Sequence, residues 1–272
     1  MEEKKIFIPA LDIECTYWIG GDGPNVVLLH GLCESKKVWQ NHAEMLASEY
    51  RVLVPDLPGY GDSQPFADGD FSLERMQKAV FAMADAENFD RFSVVGHSMG
   101  GYTALAMVET QVKRIKGISL FHSTSHADSD EKKKGRDKSI KVLQQNRDLF
   151  FREVFKNLFN SEKLAEYMPL VLALYQDSAQ IATETVTGTL LALRERKDRF
   201  EMLNNFYGHI SYFIGEKDNV LPVDDLVEEA EKLVVEFYVS EDSGHMGFYE
   251  VPDEVTEYLF NFLEETEEID FQ

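Results

Sequence analysis

The run Gly96-His97-Ser98-Met99-Gly100-Gly101 fits the pattern Gly-x-Ser-x-Gly. A serine on a sharp, strained turn between a strand and a helix projects its hydroxyl at the strand end. Glycines on either side remove side chains that would clash at the bend. The context suits the pattern, because Phe92 to Val95 reads as a strand and a helical run follows from Met99. A hydroxyl is a poor nucleophile near neutral pH. It needs a base to take its proton, and the base needs an acid to hold its tautomer. The chemistry implied is attack on an acyl carbon through a covalent intermediate.

Such turns run in the chain order Ser, then Asp or Glu, then His. Of the seven histidines (His30, His42, His97, His122, His126, His209 and His245), only His245 lies after the late strand runs. It sits in Ser243-Gly244-His245-Met246-Gly247, between Val239 and the last helical stretch, and is the expected base. The acid belongs after the preceding strand run, Ile210 to Ile214, in Gly215-Glu216-Lys217-Asp218-Asn219-Val220-Leu221-Pro222. Asp218 is the first choice. Glu216, Asp224 and Asp225 are weaker candidates, the last two as first-turn acids of a helix. Asp242 is too near His245 in sequence.

A developing oxyanion needs donors. One is expected from the amide of Met99, at a helix N-terminus. The other is expected from Leu32, in the turn His30-Gly31-Leu32-Cys33, where Gly31 permits an unusual backbone path. His30, His97 and His122, each at the end of a strand run, are candidates to border the substrate pocket. His122 and His126 lie four apart, a metal-binding spacing on a helix, but Ser123-Thr124-Ser125 between them reads as a loop. Cys33 is expected as a small buried filler, with a redox role as the alternative.

The elements that must position these groups alternate. Short apolar runs at Val26–His30, Arg51–Val54, Phe92–Gly96, Gly117–Phe121, Ile210–Ile214 and Val234–Val239 suit strands covered on both faces. Ile13 to Trp18 reads as one arm of a hairpin, with Gly20 to Pro24 as its turn. Helical patterns cover Ser35–Ser48, Ser72–Glu87 with Ser72 as N-cap, Met99–Thr110, Val223–Lys232 and Asp253–Glu264. The alternation implies an α/β fold, a mostly parallel central sheet with helices on both faces and ligands beyond the strand ends. From about Asp128 to Phe206 the patterns are helical only, which predicts an inserted helical cap rich in apolar side chains. The charged stretch Asp128–Lys138 is expected as a mobile loop or frayed helix start, and Glu264–Gln272 as a solvated tail.

Taken together, His30-Gly31, Asp56-Leu57-Pro58-Gly59-Tyr60-Gly61-Asp62-Ser63, Gly96 to Gly101, Gly215 with Asp218 and Pro222, and Gly244-His245 resemble the α/β-hydrolase superfamily, in its capped branch of small esterases and carbon–carbon-bond hydrolases. The resemblance runs over about residues 24 to 263 apart from the cap. It implies a hydrolase core at 1–121 and 207–272 with a cap at 122–206. The Asp56–Ser63 loop is structural in that family, and its own residues read as a tight Pro-Gly turn. Relatives that process halides and epoxides carry Asp at the nucleophile turn, so serine points away from those reactions.

The function implied is hydrolysis of an ester or related acyl bond in a small, partly hydrophobic substrate, with no metal or organic cofactor. Carbon–carbon hydrolysis and acyl transfer would use the same three residues. A slow or inactive ligand receptor on this scaffold is the reading of a different class.

Composition bounds the partners. The 272 residues carry 27 Lys and Arg against 49 Asp and Glu, a formal charge of −22. That field opposes nucleic acid and anionic membranes. It is uneven, because residues 122–205 hold 14 basic and 13 acidic residues. No leader-like apolar stretch follows the start, and two cysteines suggest free thiols. The expectation is a cytoplasmic monomer or homodimer acting on a small molecule.

Overall fold

The computed structural model describes residues 1–269. Among the described residues, strands β1 (Glu2–Ile8), β2 (Ile13–Gly20), β3 (Asn25–Leu29), β4 (Arg51–Pro55), β5 (Phe92–His97), β6 (Ile115–Phe121), β7 (His209–Gly215) and β8 (Glu236–Ser240) form one sheet in the order β1-β2-β4-β3-β5-β6-β7-β8. From β4 to β8 along that order every pairing is parallel, and β1 and β2 add an antiparallel edge. β5 is buried at every position, as a strand covered on both faces must be. β1 reads Glu-Glu-Lys-Lys before its apolar end, and such charge discourages pairing with another chain at the edge.

The helices are α1 (Gln40–Leu46), α2 (Leu73–Ala86), α3 (Met99–Gln111), α4 (Asp130–Gln145), α5 (Arg147–Leu158), α6 (Leu164–Ser178), α7 (Thr183–Arg194), α8 (Phe200–Asn204), α9 (Val223–Leu233), α10 (Gly247–Glu250) and α11 (Pro252–Glu268). They cover both faces, as the alternation of side chains along β7 shows. Tyr212 reaches α9 through Glu229 at 2.7 Å, while Ser211 bonds Tyr258 of α11 at 3.0 Å. The stretch from α4 to α8 connects β6 to β7 without a strand, and α4 packs against α5 and α7.

Four expectations are corrected. The hairpin partner of β2 is β1, through a turn at residues 9–12 where Asp12 takes φ 54°; residues 20–24 instead lead to β3, which is separated from β2 by β4. The last strand starts at Glu236, because Val234 adopts a left-handed conformation that ends α9. The Asp128–Lys138 stretch is ordered into α4, with Ser129 capping the amide of Lys132 at 3.3 Å and Asp128 buried. The final helix extends to Glu268 because Phe262, Leu263 and Thr266 are buried; residues 270–272 of the expected tail lie outside the described residues. Ser72 does stand at the N-cap of α2, but its side chain makes no capping bond. Cys15 and Cys33 are buried free thiols, and burial pushes the Cys15 thiol up to about 12.

An aromatic platform underlies the strand ends. Trp39 packs on Phe248 and Phe121 at 4.5 and 5.4 Å, and Phe121 stacks on Phe213 at 4.7 Å. It excludes water beneath the site, so polar contacts above it act in a low-dielectric surrounding. The Asp56–Ser63 loop is built on a buried ion pair. Lys36 Nζ donates to Asp56 Oδ2 at 2.6 Å, and the main chain of Lys36 and of Asp62 donates to the same carboxylate. A Cβ at Gly61 would lie 2.2 Å from that carboxylate, and φ is 53° there, so only glycine fits.

Candidate active site

β5 ends at His97 and α3 begins at Met99, so Ser98 makes the whole turn, with φ 49° and ψ −113°. This is a strained conformation for a residue with a side chain. It is possible because the backbone packs on itself. A Cβ at Gly96 would lie 2.4 Å from Gly100 C and Gly101 N, and one at Gly100 would lie 2.5 Å from Leu29 O. The Ser98 amide donates to Phe121 O at 3.0 Å, which ties the turn to the neighbouring strand end.

His245 lies in the loop between β8 and α10, and Asp218 in the loop after β7. His245 Nδ1 donates to Asp218 Oδ2 at 2.7 Å, which leaves Nε2 as the acceptor nitrogen. Asp218 Oδ1 accepts the amides of Val220 and Leu221 at 2.7 and 3.0 Å. Burial would raise the Asp218 carboxyl, but the charge and hydrogen bond of His245, with His122 close by, hold it well below the usual carboxylate range. Burial lowers the His245 imidazole, but Asp218, with Glu34 and Glu250, outweighs it and holds the ring above its ordinary value. Glu216 is exposed and reaches Lys217, while Asp224 and Asp225 occupy the first turn of α9. Asp242 pairs with Lys163.

Ser98 and His245 line one cavity of about 330 Å³, together with Leu32 and side chains of α4, α5 and α7. Among the described residues no hydrogen bond joins Ser98 Oγ to His245; such contacts often tighten only when substrate is bound. The amides of Leu32 and Met99 donate to no other backbone group among the described residues.

The three pocket histidines stand elsewhere than expected. His30, His97 and His122 are all fully buried behind the cavity wall and do not line it. His30 is structural: Nδ1 donates to Gly31 O at 2.8 Å, and Nε2 accepts the Leu57 amide at 3.0 Å. His122 stands behind Asp218, with Nδ1 3.4 Å from Oδ2 and no well-formed hydrogen bond there. Burial lowers its ring to about 4, against the pull of Asp218, so it is neutral near pH 7. His126 faces outward to Asp198 at 3.0 Å, so the His122/His126 spacing brings no pair together. His122, Asp218 and His245 lie within 4.8 Å of one another, a spacing a metal ion could use, but the bond from His245 places a proton between two of them.

Two acids escape a reading of the sequence. Glu34 Oε2 accepts the Gly31 amide at 2.7 Å and His97 Nδ1 at 3.0 Å. His97 Nε2 then donates to His245 O at 2.9 Å. His97 thus bridges the Glu34 carboxylate and the His245 main chain, one ring nitrogen to each. Burial would raise Glu34, but His97 and the Gly31 amide hold it below its ordinary value. Its signal in the sequence is an acid three residues after Gly31 in an otherwise apolar turn. The second acid is Glu250, which accepts the amides of Asn160, Gly244 and Met246 at 2.6, 2.9 and 3.1 Å. The His245 amide also donates to Leu158 O at 2.7 Å, so the end of α5 is stitched to the histidine loop. Burial raises Glu250 to about 6, with the three amides opposing.

Comparison with known proteins agrees with this architecture. An esterase from Thermogutta terrifontis superposes with a TM-score of 0.89 at 25% identity, covering 98% of this chain and 99% of its own. A magnesium-chelatase 30 kDa subunit from Rhodobacter capsulatus is 39% identical over 99 residues, 36% of this chain and 35% of its own. A 2-hydroxy-6-oxo-6-(2'-aminophenyl)hexa-2,4-dienoic acid hydrolase from Metapseudomonas resinovorans is 34% identical over 121 residues, 43% of this chain and 38% of its own. The chain thus spans little more than a third of the length of these two curated relatives. No helix among the described residues is long and apolar enough to cross a membrane. Residues 24–252 match the family described as alpha/beta hydrolase fold, and the chain belongs to that family.

Proposed function

We propose that this chain is a serine hydrolase that cleaves an ester or related acyl bond, with Ser98 as nucleophile, His245 as base and Asp218 as the acid that orients it. The observation that carries the reading is the 2.7 Å bond from His245 Nδ1 to Asp218 Oδ2 in a ring that shares one cavity with Ser98. Ser98 Oγ attacks the carbonyl carbon while its proton passes to His245 Nε2. The oxyanion is met by the amides of Leu32 and Met99. Collapse breaks the acyl–oxygen bond, and Nε2–H protonates the departing alkoxide. Water then attacks the acyl-enzyme, gives its proton to Nε2, and Ser98 leaves reprotonated as the carboxylic acid departs. Residues 122–206 act as a cap that shapes the pocket.

A fluorophosphonate probe tests the reading. Stoichiometric labelling that Ser98→Ala abolishes supports it; an intact protein that is never labelled favours a ligand receptor. Carbon–carbon hydrolysis is the second reading, favoured by the 34% identity to a dienoic acid hydrolase over 121 residues. Nitrophenyl esters of increasing chain length, set beside a diketone, separate the two.

A further inference from the structure

The cavity at Ser98 is two-sided. Phe150, Val154, Leu158 and Leu190 supply an apolar wall, and α4 supplies Lys132 and Arg136. These two lie four apart and so share one helical face. Asp128, also at the cavity, is engaged on both oxygens, by Arg136 Nε at 2.9 Å and Arg196 Nη1 at 2.6 Å. Lys132 has no carboxylate within 4.0 Å among the described residues. It also borders a recess with Asp225, Glu228 and Glu229, but none of these pairs with it. At the cavity wall Lys132 and Arg136 thus stand with the single carboxylate of Asp128, which Arg196 also engages. The other lining acid, Glu34, turns its Oε2 to the Gly31 amide and His97.

A half-buried ammonium beside an apolar wall attracts an anion more strongly than it would in water. The −22 charge of the whole chain disfavours polyanions, so the ligand suited to this corner is a monoanion. At roughly 30 Å³ per water-sized group, the cavity accepts about ten heavy atoms. Resting on the serine-hydrolase reading above, we propose that the substrate is an amphipathic carboxylate ester: the scissile carbonyl at Ser98, a short apolar spacer along α5, and a free carboxylate held by Lys132 and Arg136.

The test compares p-nitrophenyl hydrogen adipate with its neutral methyl ester. The anionic ester is expected to have the higher kcat/KM by roughly tenfold or more, the scale of one charge-assisted hydrogen bond. Lys132→Met and Lys132→Gln are expected to bring that ratio close to one, while Lys138→Met, on an exposed position of the same helix, keeps it. A wild-type ratio at or below one, or a ratio untouched by both Lys132 variants, overturns the proposal. Calorimetry on Ser98→Ala separates this from the catalytic reading. Monomethyl adipate is expected to bind more tightly than dimethyl adipate, and Lys132→Met to erase the difference. Equal binding overturns the anion site even where esters are hydrolysed. Preferential binding without turnover or labelling leaves the site standing and removes the hydrolase.

Discussion

His97 Nε2 donates to the main-chain oxygen of His245 at 2.9 Å, so the residue preceding Ser98 holds the backbone of the residue proposed as base. Through Glu34 the same ring reaches the amide of Gly31, beside Leu32. One buried Glu34–His97 contact thus links three loops whose separation decides whether nucleophile, base and oxyanion donors meet. A Cβ at Gly31 would lie 2.7 Å from His97 Nδ1, which shows how little slack this contact has.

Removing the Glu34 carboxylate leaves the Gly31 amide and His97 Nδ1 buried without their acceptor. Glu34→Ala is expected to lose about 1–3 kcal/mol in urea unfolding for each donor left unsatisfied. Glu34→Gln should lose less, because its carbonyl oxygen can take the place of Oε2, which meets both the Gly31 amide and His97 Nδ1. An alanine variant as stable as the parent would show that the pair positions nothing.

The proposed roles of Asp218 and Glu216 separate cleanly. Asp218→Asn should reduce kcat by about 10⁴-fold, the scale of a base held in the wrong tautomer. Glu216→Gln should hydrolyse nitrophenyl esters normally, since among the described residues its exposed side chain pairs with Lys217 alone. Loss of activity on changing Glu216 with Asp218→Asn active would transfer the role.

Activity and stability should depend on pH in opposite senses. His245 must be neutral to accept the Ser98 proton, and its ring is held above the ordinary value of 6.5. The acid limb of kcat/KM is therefore expected above pH 6.5, and Asp218→Asn should move it downward as burial takes over. Because the folded ring titrates above the unfolded one, its contribution to stability is full below pH 6.5 and is lost as pH rises through the folded value. Urea midpoints across this range, parent against His245→Ala, measure that loss; identical slopes would contradict it.

Glu250 joins the end of α5 to the histidine loop. Glu250→Ala strips the partner from three amides, each worth about 1–3 kcal/mol when left buried and unsatisfied. Hydrogen exchange is expected to speed up at Asn160, Gly244 and Met246 together, with kcat falling. Exchange confined to one of the three would mean that the loops are held by other contacts.

Some of this was legible in the chain because local conformation is written locally. The turn at Ser98 needs small neighbours at 96 and 100, and both are glycine. The fully buried strands announce themselves as unbroken apolar runs, and an alternation of such runs with helical patterns has few solutions other than a parallel sheet.

Tertiary structure decided whatever depends on which distant segments become neighbours. Nothing in residues 13–24 tells β2 to pair with β1 and β4 in place of β3. Glu34 and His97 are 63 positions apart, and His97 and His245 are 148 apart, yet each pair is in hydrogen-bond contact. The histidines at the strand ends look alike in sequence and differ in the fold, because a ring's role is set by what desolvates it and what accepts from it. The cations of α4 read as part of a mobile loop or frayed helix start until α4 packs against α5 and α7 and turns one face to the cavity.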